Sequence, residues 1–263
     1  MSRISLRAAA VLAMLAAGTL GHQPARADKP AMHAPEAQDF VHGSPDDPSD
    51  AWAIAAGGRI YDSWWDALDR PAPTETHPSY PATGKVSGKN SWRCKECHGW
   101  DYKGRNGRYA TGSHATGIPG IDGAAGRDPQ AIAKLLRAPL HGYTSEMISD
   151  VQLMNVAKFV SRGQHDIADV IDATSGKPKG DTERGKALFQ TICAACHGFD
   201  GRLLNWGSAD APAYIGTEAS KLPDEVFHKI RSSHPGAAMV NLRALPLKDA
   251  IDVLTYAATL PVK

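Results

Sequence analysis

The hydrophobic and polar positions along the chain predict short amphipathic helices separated by loops. Ile132, Leu135 and Leu136 recur at helical spacing, as do Val226, Phe227 and Ile230, so each set would form one buried helix face. The residues that best suit helix starts are Asp128, Ser149, Asp181 or Thr182, Pro223 and Leu247. The helix from Ser149 is expected to reach Arg162, and the last helix Leu260. These patterns predict a mainly α fold.

One apolar run near the start has a different character. Ala8 to Leu20 follows the basic residues Arg3 and Arg7 and precedes the small-residue sequence Ala25-Arg26-Ala27. This order is typical of a cleavable export signal, and the run falls short of the roughly 20 residues that span a bilayer. We therefore predict cleavage before Asp28, a periplasmic protein and no membrane span after signal cleavage. The alternative is an uncleaved signal that acts as a single membrane anchor.

Composition and charge exclude several classes of protein. The chain has 263 residues, a net charge of +1 and 42% hydrophobic residues, which is an ordinary globular composition. Loss of residues 1–27 removes three of the 29 basic residues and none of the 28 acidic ones, which leaves a net charge of −2. A nearly neutral chain gives no reason to expect nucleic acid as a partner.

The four cysteines supply the strongest chemical signal. They form two copies of one motif, Cys94-Lys95-Glu96-Cys97-His98 and Cys193-Ala194-Ala195-Cys196-His197. Cys-x-x-Cys-His is the attachment signature of c-type haem, because two thiols on one helical turn reach the two vinyl groups of a porphyrin while the histidine binds the iron. The sequence therefore predicts two covalently bound haem c groups.

Three other interpretations of these cysteines remain open. An exported chain with an even number of cysteines can form disulfides, and paired Cys-x-x-Cys motifs can bind zinc or act as thioredoxin-like redox pairs. None of these requires histidine after both pairs. About 100 residues separate the pairs, whereas compact zinc modules use roughly 15 to 20.

The approach to the second motif, Gly185-x-x-Leu188-Phe189, resembles that of class I cytochrome c. The resemblance implies a helix on each side of the haem motif, with Phe189 and Tyr256 packed together in the core. In the first half, Gly58-Arg59-Ile60-Tyr61 is similar to this helix, but an irregular insertion from about Arg70 to Asn90 separates it from Cys94.

An internal match supports two related halves. Leu136-Arg137 leads to His141-Gly142 and Met147, and Ile230-Arg231 leads to His234-Pro235-Gly236 and Met239. We predict two cytochrome c-like helical haem domains in tandem, with an irregular N-terminal extension and an insertion. The boundaries are a signal peptide at 1–27, a flexible segment at 28–52, a first domain at 53–165, a linker at 166–180 and a second domain at 181–263.

The sixth ligand of each iron decides between electron transfer and catalysis. Met239, which follows His197 by 42 residues, is predicted for the second haem, with His234 or His228 as alternatives. Met147 is predicted for the first haem, opposite His98, with His141 as the main alternative, while Met154 is interpreted as packing. The remaining histidines are interpreted as surface or structural residues: His42, His77, His114, His165 and His228.

The chain thus resembles periplasmic dihaem cytochromes c built from two fused class I domains. This resemblance implies electron transfer in a respiratory or oxidative chain, between a redox protein donor and a redox protein acceptor. The protein would be a free shuttle or the electron-accepting subunit of a dehydrogenase, an electron carrier more readily than an enzyme. The alternative is a dihaem oxidoreductase with one open catalytic haem, similar to peroxidases or dehydrogenases of sulfur compounds.

Overall fold

The computed structural model describes residues 41–263, and this part of the chain is mainly helical. Its helices are α1 (Asp50–Asp62), α2 (Trp64–Leu68), α3 (Cys94–His98), α4 (Pro129–Arg137), α5 (Asp150–Lys158), α6 (Ile167–Val170), α7 (Thr182–Leu188), α8 (Ala194–His197), α9 (Ile215–Lys221), α10 (Pro223–Ser232) and α11 (Leu247–Ala257). Within residues 41–263 there is no β-strand, only two isolated bridges. The mainly α prediction is confirmed for this part of the chain.

Local sequence explains where the helices begin. The Asp128 carboxylate accepts a hydrogen bond from the Gln130 N–H at the start of α4, and Ser149 forms a capping box with Gln152 at the start of α5. The Asp181 carboxylate accepts from two backbone N–H groups of α7, and Pro223 occupies the first turn of α10. These side chains satisfy backbone donors that have no partner inside the helix.

Two helices continue into π-helical turns. Helix α5 ends at Lys158 and the chain goes on as a π turn over Phe159–Gly163. Helix α7 likewise ends at Leu188 and is followed by a π turn over Phe189–Cys193. The predicted helix from Ser149 to Arg162 is therefore an α-helix followed by a wider turn, and the second haem motif begins inside such a turn.

Buried side chains form two hydrophobic clusters that follow the chain order. The first takes its residues from 54–160 and includes Tyr61, Trp64 and Phe159. The second takes its residues from 167–260 and includes Phe189 and Leu254. Each half of the described chain therefore has its own core.

One helix prediction differs in detail from the structure. Ile132 and Leu136 of α4 are buried as predicted, but the Leu135 side chain is 49% exposed. Helix α4 buries one narrow stripe against α5, and Leu135 lies beside that stripe rather than in it.

Both halves contain the same crossing of a first and a last helix. A Cβ atom on Gly57 of α1 would lie 2.0 Å from the Asn155 carbonyl oxygen in α5, and one on Gly185 of α7 would lie 1.9 Å from the Asp252 carbonyl oxygen in α11. Only glycine permits these two close approaches. The halves therefore repeat a helix crossing that depends on one glycine each.

An aromatic pair accompanies each crossing. Tyr61 and Phe159 have ring centroids 5.3 Å apart in the first half, and Phe189 and Tyr256 have centroids 5.4 Å apart in the second. The predicted contact between Phe189 and Tyr256 is confirmed. The glycine that corresponds to Gly185 is Gly57 rather than Gly58, because Gly57 lies four residues before Tyr61 as Gly185 does before Phe189.

The two cores lie in one compact unit that contains all described residues. Helix α1 of the first half packs against α10 of the second, where His228 Nε2 lies 2.8 Å from the Gly58 carbonyl oxygen. The segment predicted as a linker is folded: Val170 in α6 is fully buried, and Ile171 forms an isolated bridge with Pro178. The halves are held together by packing as well as by chain connectivity.

The remaining predictions concern the start of the chain and the insertion. Most of the insertion is irregular as expected, and a 3₁₀ turn over Gly88–Trp92 leads into the first motif. The predicted signal peptide at 1–27 and most of the predicted flexible segment 28–52 lie outside the described residues. Among residues 41–263, no helix is long and apolar enough to cross a membrane.

Candidate haem sites

The two Cys-x-x-Cys-His motifs adopt the same local structure. Each forms one helical turn, α3 over Cys94–His98 and α8 over Ala194–His197. Each histidine is followed by a glycine whose φ is 81°, a backbone conformation that would strain a residue with a side chain. The N–H of each glycine donates to the carbonyl four residues earlier and so closes the helical turn. The histidines of the two motifs therefore occupy equivalent positions, each as the last residue of its helical turn.

In the first site, the backbone fixes which nitrogen of His98 is free. His98 Nδ1 lies 2.8 Å from the Pro119 carbonyl oxygen, so Nδ1 carries the proton and donates it, which leaves Nε2 as the ligand atom. Burial lowers the pKa of His98 to about 4, although the bond to Pro119 opposes this shift. The imidazole is therefore neutral at pH 7, as metal binding requires.

The second site is a cavity of about 550 Å³ beside the second motif. Cys193 and His197 line it, and so does Met239, the predicted distal ligand. One set of further lining residues is apolar or aromatic: Phe189, Trp206, Ile215, Val226, Ile230, Val253 and Ala257. A second set is charged and includes Asp66, Lys89, Glu218 and Glu225. A thiol, an imidazole and a thioether beside an apolar wall are the donor set that a covalently bound haem uses.

Two buried polar atoms test whether this cavity fits such a group. His197 Nδ1 and the Trp65 indole nitrogen are buried and have no hydrogen-bond partner among residues 41–263. Both residues line the cavity. Because buried polar groups normally have partners, these atoms indicate a wall made for a ligand with polar as well as apolar parts, as a porphyrin with carboxylate side chains is. The residues fit a haem.

Part of this cavity wall comes from the first half. Arg93, which directly precedes Cys94, lines the cavity together with Asp62 and Lys229. Asp62 is fully buried and pairs with Arg93 on one side and with Lys229, at 3.0 Å, on the other. Burial alone would raise the pKa of Asp62, but Lys229 and Arg93 outweigh it and hold the pKa well below its ordinary value. The carboxylate is thus ionised and links the two halves.

The candidate distal ligands have different surroundings in the two halves. In the second half, both Met239 and His234 line the cavity that contains His197. In the first half, the His141 ring lies near that of His98, with centroids 6.3 Å apart and planes inclined by 29°. Met147 lines a separate cavity, with Trp64 and Pro71, that contains no residue of the first motif.

The geometry of the cysteines does not favour the other interpretations. None of the four cysteines, which all lie in the described part of the chain, is in a disulfide. Residues 41–263 contain no group of three or more His, Cys, Asp or Glu side chains that could hold a metal ion. Burial raises the pKa of the Cys94 and Cys193 thiols to about 11, whereas a thioredoxin-like pair needs a thiolate near neutral pH.

Two residues of this region, Asp62 and Lys229, carry no signal in the sequence. They join Trp65 and Arg93 at the cavity only because α1 packs against α10. Two other residues, Arg137 and Arg231, could be identified from the sequence because they occupy matching positions of the internal repeat. Each donates hydrogen bonds to two carbonyl groups of the loop that follows it: Tyr143 and Ile148 in the first half, Leu242 and Leu245 in the second.

Comparison with known proteins bears on the second half. Residues 180–256 match the family described as cytochrome C oxidase, cbb3-type, subunit III. The matched segment runs from the start of α7 to the end of α11 and includes Cys193, Cys196, His197 and Met239. No curated protein matches the chain. Together with the helical fold, the family match means that the chain contains a c-type cytochrome domain, a domain that binds haem c covalently and transfers electrons.

Proposed function

We propose that the chain is an exported dihaem c-type cytochrome that carries electrons between two redox proteins in the periplasm. Cys94 and Cys97 would bind the first haem through thioether bonds, with His98 on the iron. Cys193, Cys196 and His197 would do the same for the second haem. This assignment extends the cytochrome domain of the second half to the whole described chain.

The repeat of local structure supports a haem in the first half. The two motifs share the helical turn and the glycine with a φ of 81°, and the two halves share the glycine-dependent helix crossing with its aromatic pair. Two halves that repeat both the attachment motif and the surrounding packing are expected to hold the same group.

The observation that carries the electron-transfer proposal is the shared wall of the second cavity. Arg93 lines the cavity beside His197 and is joined by a peptide bond to Cys94, an attachment residue of the first motif. Two groups attached in this way would lie within one compact unit, with Arg93 between the first attachment residue and the second cavity. Such a pair passes electrons from one protein partner to another through the chain.

Each bound haem would supply an iron that cycles between its ferrous and ferric states. The chain's own residues would do the rest: His98 and His197 would bind the irons, and the apolar residues of the second cavity would pack against the porphyrin. Met239, which lines the same cavity as His197, would close the second iron against small molecules. An iron with both axial positions filled exchanges electrons and binds no substrate, which favours a carrier over an enzyme.

A haem count on the full exported protein tests this proposal. We expect two haem c groups per chain by the pyridine haemochrome assay, and a periplasmic location on cell fractionation. The paired substitutions C94A/C97A and C193A/C196A should each lower the count from two to one. One haem in the unsubstituted chain, or an unchanged count in C94A/C97A, would contradict a dihaem protein while leaving the second-half cytochrome domain intact.

A further inference from the structure

We propose that His141, rather than Met147, is the distal ligand of the first haem iron, so that the two haems differ in ligand set. The first would be held by two imidazoles, from His98 and His141. The second would be held by an imidazole and a thioether, from His197 and Met239. This inference rests on the proposed function and adds a direction to the electron flow.

The distance between the two imidazole rings carries the inference. An imidazole nitrogen lies about 2 Å from a metal ion it binds, so two imidazoles on opposite sides of one iron have ring centres roughly 6 Å apart. The ring centroids of His98 and His141 are 6.3 Å apart. The two side chains therefore already have the spacing of an axial pair.

The state of the two rings agrees with that role. His98 Nδ1 is engaged by the Pro119 carbonyl oxygen, which leaves Nε2 free for a metal. His141 Nδ1 is buried and has no hydrogen-bond partner among residues 41–263. A buried imidazole nitrogen without a partner is uncommon, and a ligand beside the ring accounts for it.

The loop around His141 is held in place from several sides. The Arg137 guanidinium donates to the Tyr143 carbonyl at 2.9 Å and to the Ile148 carbonyl at 2.7 Å. His77 Nε2 lies 3.0 Å from the His141 carbonyl oxygen, and the His77 ring packs on Trp92 with centroids 4.3 Å apart. The position of His141 is therefore set by the fold, as expected of a ligand.

Met147 is in a different place. It lines a cavity with Trp64, Pro71 and Pro73, and it packs against the first hydrophobic core. None of the residues of the first motif lines that cavity. The sequence spacing that recommended Met147 is satisfied equally by a methionine that fills a gap in the core.

The difference in ligands has a functional consequence. A thioether opposite histidine raises the potential of a haem relative to two nitrogen ligands. The first haem would therefore have the lower potential and the second the higher. Electrons would enter at the first half and leave from the second, so the donor would dock near His98 and the acceptor near His197.

The test is the absorption of the full dihaem protein, because ferric haem with a methionine ligand has a weak sulfur-to-iron band near the red end of the visible spectrum. We expect an intensity that corresponds to one methionine-ligated haem for every two haems. Met147→Leu should leave the band unchanged, whereas Met239→Leu should remove it. A redox titration should show two separate one-electron steps.

Two substitutions of His141 probe the ligand directly. In His141→Ala, one of the two reduced haems should bind carbon monoxide, and in His141→Met the red band should double. The inference would be overturned if the band of the unsubstituted protein had the intensity of two methionine-ligated haems and fell by half in Met147→Leu. This measurement does not depend on the folding of the His141 variants. The haem count is measured first on the same sample, because fewer than two haems would reject the dihaem proposal itself.

Discussion

At the scale of single residues, two glycines permit the helix crossings on which both halves are built. Gly57 and Gly185 bring their helices so close to Asn155 and Asp252 that a methyl group would overlap a backbone carbonyl oxygen. The neighbouring atom is backbone and belongs to a packed helix, so it cannot move aside at small cost. The sequence alone identified Gly185 through the resemblance to class I cytochrome c, but it singled out Gly58 instead of Gly57.

Gly185→Ala should therefore destabilise the protein strongly. Alanine improves the helix propensity by up to about 1 kcal/mol. Its Cβ would lie 1.9 Å from the Asp252 carbonyl oxygen, and this overpacking costs about 3 kcal/mol, so the free energy of unfolding decreases. Denaturant unfolding followed by circular dichroism measures the net loss. The matched control is Gly123→Ala, where no atom lies within 4 Å and a change within about 0.5 kcal/mol is expected. Equal stability of the two variants would contradict the close approach.

At the scale of elements, the contact between α1 and α10 depends on a buried histidine. His228 is fully buried, its Nε2 donates to the Gly58 carbonyl at 2.8 Å, and its Nδ1 accepts from the Tyr102 hydroxyl at 2.9 Å. Both bonds require the neutral ring with its proton on Nε2. Burial lowers the pKa of His228 to about 4, although Asp62 and the Gly58 carbonyl oppose this shift. The contact is therefore formed by a histidine that resists protonation.

This histidine should make the contact sensitive to acid. Because the pKa of His228 is lower in the folded chain than the ordinary 6.5, the unfolded chain binds the extra proton first, and stability is lost as the pH falls from 6.5 towards 4. Other charged or titratable groups around it are Asp62, Lys229, Arg243, Tyr102 and His165.

Between pH 7 and pH 5, we expect His228 to lower the free energy of unfolding by about 2 kcal/mol. His228→Gln should remove this part of the pH dependence whatever its effect on stability at pH 7. A slope in His228→Gln that equals that of the unsubstituted protein would show that His228 is not the titrating group.

At the scale of the whole molecule, one carboxylate joins the halves. Asp62 has no exposed side-chain surface and pairs with Arg93 of the first half and Lys229 of the second. A buried ion pair adds little net stability compared with an apolar pair of the same shape, but removing the shared anion leaves Arg93 without its carboxylate, while Lys229 keeps Glu225 at 2.8 Å. The same three residues line the cavity of the second half, so this cluster both joins the halves and shapes the candidate haem site.

Asp62→Asn should therefore loosen the molecule. We expect a loss of about 3 to 5 kcal/mol in the free energy of unfolding, because two cations lose their shared anion. Asp200→Asn, which breaks only an exposed pair with Arg202 at 3.9 Å, should cost less than about 1 kcal/mol. Urea unfolding of both variants measures the difference, and similar losses in the two would contradict a special role for Asp62.

Much of the fold and the chemistry of the attachment sites could be predicted from the sequence, because these depend on neighbouring residues. Helix caps, the proline at the start of α10 and the two Cys-x-x-Cys-His motifs act over four or five residues, a range that a sequence shows directly. The family match to residues 180–256 agrees with this local signal in the second half. Local rules also predicted the contact between Phe189 and Tyr256, through a resemblance to a known crossing of helices.

Only the tertiary structure decided which distant residues meet. The spacing favoured Met147 over His141 as the ligand opposite His98, but the fold brings the ring of His141 within 6.3 Å of that of His98 and leaves Met147 in another cavity. Asp62, Arg93 and Lys229 join because α1 of one half packs on α10 of the other, a contact across more than 160 residues that no local pattern specifies. The sequence by itself determined the attachment chemistry that each Cys-x-x-Cys-His motif predicts, since that chemistry depends on five neighbouring residues. The packing of the two halves decided what lies between and opposite those motifs, since long-range contacts depend on the shapes of whole elements.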